Sequence, residues 1–134
     1  MPQVNITVIG DAPTPQQKAA LFEKVTDLMV NVLNRSRNLT VVSVTTAAPG
    51  DWSVGGAVRN GGGVVGVQAV LKVLTGTGSD DQKARMIEQL TEVLRSVLGN
   101  PTMPLYAVFE EIPPTLWGYN GRPVAAIMPA QAAS

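Results

Sequence analysis

Acid–base chemistry in this chain has few sources, because the sequence contains no histidine and no cysteine. Histidine is the commonest general base and metal ligand in proteins, and thiol catalysis requires cysteine. Any proton transfer must therefore use carboxylates, lysine, tyrosine or a chain terminus. The same absence excludes disulfides and thiolate metal sites, and no cofactor is expected.

One lysine and four of the aromatic residues are candidates to line a binding pocket. Lys72 interrupts an otherwise apolar strand pattern, which indicates either a pocket or a position at an edge or outer face of a sheet. Glu110 and Glu111 close a second such strand, where they either position a water molecule or are simply exposed. Four of the six aromatic residues either wall an apolar pocket or pack at subunit contacts: Trp52, Tyr106, Trp117 and Tyr119.

The charge balance and hydropathy exclude several classes of partner. Ten basic residues offset ten acidic ones, and no basic run is present, so a nucleic-acid partner is not expected. No apolar run approaches the roughly 18 residues that a membrane-spanning helix requires. The first residues show neither a basic nor an apolar signal region. We therefore expect a soluble, cytoplasmic protein with no membrane partner.

The elements that would position these residues occur twice. A shift of 65 positions aligns residues 2–56 with 67–121 without a gap, matching 17–19 with 82–84, Trp52 with Trp117 and Gly56 with Gly121. The sequence therefore predicts one domain, 1–134, built from two tandem repeats. Residues 57–66 are predicted to link the repeats, and 122–134 to form a C-terminal tail.

Each repeat carries the pattern of a strand, a helix and a second strand. The first strands alternate apolar and polar residues, which is typical of a strand with one buried face. Thr14 and Ser79 are predicted N-caps, each with glutamine three positions later. Both helices then carry an apolar stripe at helical spacing, and further strands are predicted at 39–47 and 105–112.

A β-α-β unit places its two strands parallel to each other. Two units predict an α+β fold with a four-stranded sheet and both helices on one face. The second face of that sheet needs cover, and oligomerisation is the simplest way to provide it. Four apolar strand residues are candidates for either face: Ile6, Val44, Leu71 and Phe109.

The order of these segments resembles the tautomerase superfamily, whose β-α-β unit begins with proline directly after the initiator methionine. Ser-Asp-Asp-Gln-Lys at 79–83 is similar to the start of the family helix. Glu-Glu-Ile-Pro-Pro-Thr-Leu-Trp-Gly at 110–118 is similar to the end of its second strand, and 48–56 is the first repeat's version. The double length resembles two fused 4-oxalocrotonate-tautomerase-like units, which implies a tautomerase (MIF-like) fold and a homotrimer.

The resemblance implies a keto–enol tautomerase, an isomerase in which Met1 is removed and the secondary amine of Pro2 is the general acid or base. Its substrate would be a small enol or α-keto carboxylate. An α-amino group titrates near about 8, and burial or a nearby cation lowers the pKa of an amine, so such a base suits neutral pH. If Met1 is retained, the Pro2 nitrogen is an amide and cannot act as a base. Val67 matches Pro2 in the second repeat, so the chain has at most one proline site.

The resemblance also implies arginines that bind the substrate carboxylate and stabilise the enolate. This chain lacks arginine at the usual family positions, so the cations must come from elsewhere. The candidate substrate-binding residues are Lys72, Arg59 and Arg122, together with the four aromatic residues. For the two arginines a solvated surface position is the alternative. The positions where the family often has arginine hold other residues: Pro13, Val41, Gly78 and Tyr106.

Two further interpretations remain open beside the tautomerase. The missing arginines are compatible with a catalytically silent trimeric scaffold or small-ligand binder. The double-length layout is also shared by the dehalogenase and decarboxylase branches of the superfamily, so the second alternative is a hydratase, dehalogenase or decarboxylase that works without a cofactor.

Overall fold

The computed structural model describes residues 2–59, 62–99 and 104–127. Two long helices, α1 (Pro15–Asn31) and α2 (Asp80–Leu98), alternate with strands in the predicted order. A one-turn helix, α3 (Val124–Ile127), follows the last strand. The strands are β1 (Gln3–Gly10), β2 (Val41–Ala47), β3 (Ser53–Val54), β4 (Ala57–Val58), β5 (Val64–Leu74), β6 (Leu105–Ile112), β7 (Gly118–Tyr119) and β8 (Arg122–Pro123).

The main sheet has four strands in the order β2-β1-β5-β6. Each outer pair, β1 with β2 and β5 with β6, is parallel and belongs to one repeat. The central pair, β1 with β5, is antiparallel and joins the repeats. The two β-α-β units therefore meet edge to edge in opposite directions, which confirms the predicted α+β fold.

Both long helices cover the same face of this sheet. The alternating residues Val4, Ile6 and Val8 of β1 form one core cluster with buried residues of α1 and α2. Burial of a large aliphatic side chain contributes about 1.5–3 kcal/mol, so this layer dominates stability. The sequence did not assign four apolar strand residues to either face, and all four lie on the face that the helices cover. Ile6 and Leu71 are buried, and Val44 and Phe109 pack against the cluster.

The apolar stripes of the helices are wider than the surface that the sheet covers. Phe22 and Ile87, which occupy equivalent positions in the two repeats, are exposed. The helix-facing side of the sheet accommodates a narrower set, including Leu21, Val25 and Met29 of α1. The apolar stripe therefore extends beyond the buried face of each helix at these two flanking positions.

The predicted helix caps are confirmed in both repeats. The Thr14 hydroxyl accepts from the Gln17 N–H at 3.1 Å, and the Gln17 Oε1 accepts from the Thr14 N–H at 2.8 Å. Ser79 and Gln82 form the same capping box at 3.2 and 2.8 Å. Each helix therefore begins where the pattern places it.

The two capping glutamines also tie one helix to the other. Gln17 Nε2 donates to the Val97 carbonyl at 3.0 Å, near the end of α2. Gln82 Nε2 donates to the Val32 carbonyl at 3.4 Å, just after α1. Because the start of each helix meets the end of the other, the helices run antiparallel, like the strands beneath them.

The repeat extends beyond the predicted β-α-β units into small hairpins. β3 pairs with β4, and β7 pairs with β8 at the equivalent positions. Gly55 and Gly56 turn the first hairpin and Asn120 and Gly121 the second, all with positive φ as two-residue type I′ turns require. The predicted linker 57–66 thus contains β4 and the start of β5. The predicted tail contains β8 and α3, and its residues 128–134 lie outside the described residues.

The second face of the sheet carries paired polar side chains. Asn5 accepts from the Ser43 hydroxyl at 3.0 Å, and the hydroxyls of Thr7 and Thr45 lie 3.1 Å apart. Cross-strand pairs of this kind satisfy the polar groups on the open face. Exposed apolar side chains occur toward its outer strands: Val41, Tyr106 and Val108.

Candidate active site

Pro2 lies just before β1, where it lines a cavity of about 230 Å³. Pro2 itself is buried. We call this space the Pro2 cavity, and its lining residues are Pro2, Gln3, Leu39, Val41, Trp117 and Tyr119. The lining combines the first residues of one repeat with the closing segment of the other, which is why sequence proximity alone does not reveal it.

Backbone pairing holds Pro2 against the start of β2. The Val41 N–H donates to the Pro2 carbonyl at 3.1 Å. In the second repeat Val67 takes the place of Pro2, and its N–H donates to the Pro104 carbonyl at 3.1 Å. Leu39 is the first-repeat counterpart of Pro104 and lines the Pro2 cavity. Leu39 therefore lies beside Pro2 at the position that matches Pro104 beside Val67.

The second hairpin brings aromatic side chains to Pro2. Trp117 packs against Leu74 and Val124, and the Val124 N–H donates to the Trp117 carbonyl at 2.8 Å. Tyr119 lies on β7, opposite Arg122 on β8. The turn and the short helix α3 therefore hold both aromatic residues in the wall of the cavity.

Arg122 lies in the same hairpin without lining the Pro2 cavity. It is exposed, and its Nη2 donates to the Ala126 carbonyl at 3.2 Å. Its guanidinium is thus partly committed to the end of α3. Of the predicted cations, Arg122 and Lys72 lie at the Pro2 end of the sheet.

Lys72 lies in a neighbouring pocket of about 330 Å³ on the open face of the sheet. It is half-buried on β5, opposite Gln3 of β1 and Glu110 of β6. Gln3 lines both this pocket and the Pro2 cavity. Lys72 therefore adjoins the site, with a carboxylate on the strand beside it.

The opposite end of the sheet is defined by Trp52, Gly66, Val67 and Tyr106, and we call it the Val67 end. Three predicted site residues lie there: Trp52, Tyr106 and Arg59. The Trp52 ring covers Gly66, where an added Cβ would lie 3.1 Å from two ring carbons. Its Nε1 is buried and has no hydrogen-bond partner among the described residues. Tyr106 is 54% exposed on β6, and Arg59 is exposed after β4.

The structure thus brings Pro2, Trp117 and Tyr119 together and separates them from Trp52, Tyr106 and Arg59. Three lining residues were not predicted as site residues: Gln3, Leu39 and Val41. Val41 stood out only as a position where the family often has arginine. The others follow from strand pairing, which a sequence pattern does not show.

Each of the two acidic candidates lies beside a lysine. Glu111 forms an ion pair with Lys83, which joins β6 to α2. Glu110 faces Lys72 across the strands. Within 2–59, 62–99 and 104–127, no cluster of three or more histidine, cysteine or acidic residues could hold a metal ion.

Among the described helices, none combines the length and apolar character needed to cross a bilayer. The expectations of a cytoplasmic location and of no nucleic-acid partner stay predictions.

Comparison with known proteins gives consistent matches. The family model described as "Tautomerase enzyme" matches residues 2–59 and again 70–127, once for each repeat. "Probable tautomerase K2" of Dickeya dadantii (strain 3937) is 38% identical over 56 residues, covering 42% of this chain and 84% of that protein. A single-repeat relative therefore matches about one half of the chain.

Solved structures match the whole fold at low sequence identity. "F6 fused 4-OT wild type asymmetric trimer" superposes with a TM-score of 0.82 and 19% identity, covering 94% of this chain and 98% of that one. "Native Fused 4-OT" has a TM-score of 0.81 and 22% identity, covering 93% and 98%. These likenesses establish that the two repeats share the arrangement of those fused chains.

Proposed function

Because the chain belongs to the tautomerase enzyme family, we propose that it is an isomerase in which the amine of Pro2 transfers a proton. The substrate would be a small enol or α-keto carboxylate, with the proton moving between carbon and oxygen. The observation that carries the proposal is the placement of buried Pro2 in the wall of a cavity.

The surroundings of Pro2 suit an amine that works near neutral pH. Leu39, Val41 and Trp117 supply an apolar wall. Burial disfavours the charged form of an amine and so lowers its pKa. The neutral amine can then remove a proton from carbon, and the resulting ammonium can return it elsewhere.

The proposal requires that Met1 be removed, because only a terminal proline has a basic nitrogen. The intact mass of the purified protein measures this directly. A mass without one methionine satisfies the requirement, whereas a mass that includes Met1 contradicts the mechanism.

We propose Lys72 and Arg122 as the cations nearest to the substrate. Lys72 adjoins the Pro2 cavity through Gln3, and Arg122 lies opposite Tyr119. Trp117 and Tyr119 would contact the substrate in the cavity itself. Trp52, Tyr106 and Arg59 lie at the Val67 end, so a role for them at Pro2 requires a neighbouring subunit.

We also propose that the protein assembles as a homotrimer. Solved structures with this fold are described as trimers of fused 4-OT. The open sheet face of this chain, with exposed Val41, Tyr106 and Val108, is the surface left for such contacts. Sedimentation or light scattering would measure the mass of the assembly.

The central test compares three proteins with 2-hydroxymuconate and phenylenolpyruvate as substrates. Pro2→Ala should lower kcat/KM, because it replaces the secondary amine with a primary amine on a smaller, less constrained residue; loss of a positioned acid or base altogether would cost about 10²–10⁴-fold. A short N-terminal extension should abolish the same activity, because it leaves every side chain in place but converts the Pro2 nitrogen to an amide. Pro15→Ala, at the exposed start of α1, is the matched proline control and should retain activity. Unchanged turnover in the first two proteins would end the proposal.

The second candidate is a catalytically silent trimer that binds a small ligand. The observation that favours it is the lining of the Pro2 cavity, in which no described residue is a lysine or arginine. Turnover that depends on the free amine would exclude it, whereas ligand binding without turnover would support it.

A further inference from the structure

Proton transfer at Pro2 places negative charge on a substrate oxygen. When a base removes a proton from the carbon beside a carbonyl, the C–H electron pair forms a C=C bond and the carbonyl oxygen becomes an enolate. A hydrogen-bond donor directed at that oxygen commonly accounts for a large part of catalysis. The proposed function therefore requires a donor close to Pro2.

The Pro2 cavity offers two polar side chains among its lining residues, Gln3 and Tyr119. Gln3 also lines the pocket of Lys72 and lies opposite that lysine. Tyr119 stands in the wall formed by the second hairpin. Among the described residues its hydroxyl has no hydrogen-bond partner, so its proton is free to meet a ligand.

The hairpin fixes the backbone position of Tyr119, whose side chain is exposed. β7 pairs with β8, Asn120 and Gly121 form the tight turn, and Trp117 beside it is anchored through its carbonyl to Val124. A donor held by a paired strand needs little reorganisation when charge develops.

Comparison of the repeats gives an independent argument. Trp117 corresponds to Trp52, so both ends of the sheet have an indole. Tyr119 corresponds to Val54, just as Pro2 corresponds to Val67. The closing hairpin therefore carries a tyrosine at the end that has the proline and a valine at the end that does not.

We propose that the Tyr119 hydroxyl donates a hydrogen bond to the carbonyl or enolate oxygen of the substrate in the Pro2 cavity. It thereby does the work for which the resemblance implies an arginine. The phenol keeps its proton throughout, while Pro2 takes the proton from one atom and returns it to another. This inference rests on the proposed function of the same site.

The kinetic test is Tyr119→Phe, which keeps the ring and removes only the hydroxyl. We expect kcat/KM for an enol–keto substrate to fall about 10²-fold, as for loss of one oxyanion donor, with the loss mainly in kcat. Ser96→Ala is the control, because it removes an exposed hydroxyl of α2 that does not line the Pro2 cavity, and it should retain wild-type rates. Amine-dependent turnover that Tyr119→Phe leaves unchanged would overturn the inference while leaving the role of Pro2 intact.

A binding test separates the inference from turnover. Acetophenone and ethylbenzene are similar in size but differ in the carbonyl oxygen, and a cavity of about 230 Å³ exceeds the roughly 150 Å³ that holds benzene in an engineered protein. Their binding can be followed through the ¹⁵N–¹H signal of the Trp117 indole, with the Trp52 indole as internal control. We expect Tyr119→Phe to weaken acetophenone binding about two- to tenfold, the effect of one hydrogen bond, and to leave ethylbenzene binding unchanged.

The outcomes are distinct from those of the Pro2 test. Selective loss of acetophenone affinity supports the inference even in a protein that shows no turnover. Equal affinity of acetophenone for wild type and Tyr119→Phe, or no response of the Trp117 signal to either ligand, overturns it.

Discussion

The two ends of the sheet share one backbone arrangement, but a cavity is open at one end and a tryptophan ring covers the strand at the other. At the Pro2 end, Trp117 and Tyr119 border an open cavity. At the Val67 end, Trp52 lies directly over Gly66, the position that matches Met1 in the first repeat. The Val67 nitrogen is an amide that donates to the Pro104 carbonyl, whereas a terminal proline could offer a free amine. Duplication of the fold therefore does not duplicate a chemistry that depends on a chain terminus.

The largest expected effect tests whether the two halves of the core are equivalent. Leu21 and Met86 occupy matching positions on α1 and α2, and both are fully buried. Leu21→Ala and Met86→Ala should each lower the free energy of unfolding by about 2–5 kcal/mol, because each leaves a cavity in the shared core. Urea unfolding measures both values.

Comparable losses in the two variants would show that the repeats share the stability of one core. A loss confined to one variant would break the comparison, since it would mean that one helix can detach from the sheet without the other.

A smaller effect should distinguish the closed end from the open one. In Gly66→Ala the new Cβ would lie 3.1 Å from the Trp52 ring, so either the ring or the strand must move. We expect a loss of about 1–3 kcal/mol, as for other overpacked sites, with a change in tryptophan fluorescence. Gly118→Ala is the matched control, because nothing lies within 4 Å of its Cβ position.

Gly118→Ala should leave stability unchanged or raise it by up to about 1 kcal/mol, since alanine restricts the unfolded chain. Neither glycine requires the left-handed backbone region. If the two substitutions had the same effect, Trp52 would not close the Val67 end as tightly as the contact implies.

The smallest expected effect concerns the glutamines that tie the helices together. Gln17→Glu keeps an acceptor for the cap but removes the donor to the Val97 carbonyl, and it should cost about 1 kcal/mol. Gln82→Glu should cost less, because its bond to Val32 is 3.4 Å rather than 3.0 Å. Thermal unfolding of both variants measures the difference. Equal losses would contradict it and would point to the new charge rather than to the bond between the helices.

The sequence predicted the fold more completely than the site. Strand alternation, the capping boxes at Thr14 and Ser79 and the repeat itself report on local structure, and all three patterns are found in the structure. The hairpins were missed because their strands have only two residues, although Gly55-Gly56 and Asn120-Gly121 carry the turn signal. Phe22 and Ile87, which are exposed, show that helical spacing alone does not tell which residues of an apolar stripe are buried.

Assembly of the site depends on contacts distant in sequence. Trp117 and Tyr119 reach Pro2 because β5 runs antiparallel to β1, which brings the closing segment of one repeat to the opening of the other. No local pattern encodes that direction. The same pairing places Trp52 and Tyr106 at the far end of the sheet. Trp52 and Trp117, which occupy matching positions in the two repeats, therefore lie at opposite ends.

Joining the two antiparallel halves in one chain also changes which mutations can affect one half alone. In a symmetric dimer of identical single-repeat chains, one gene encodes both halves, so every substitution appears at both ends. Here the two halves are encoded separately within one gene. A change that suits one end, such as tyrosine rather than valine in the hairpin, therefore leaves the other as it was. Selection can then shape one half for a ligand while the other keeps the residues that hold the pair together.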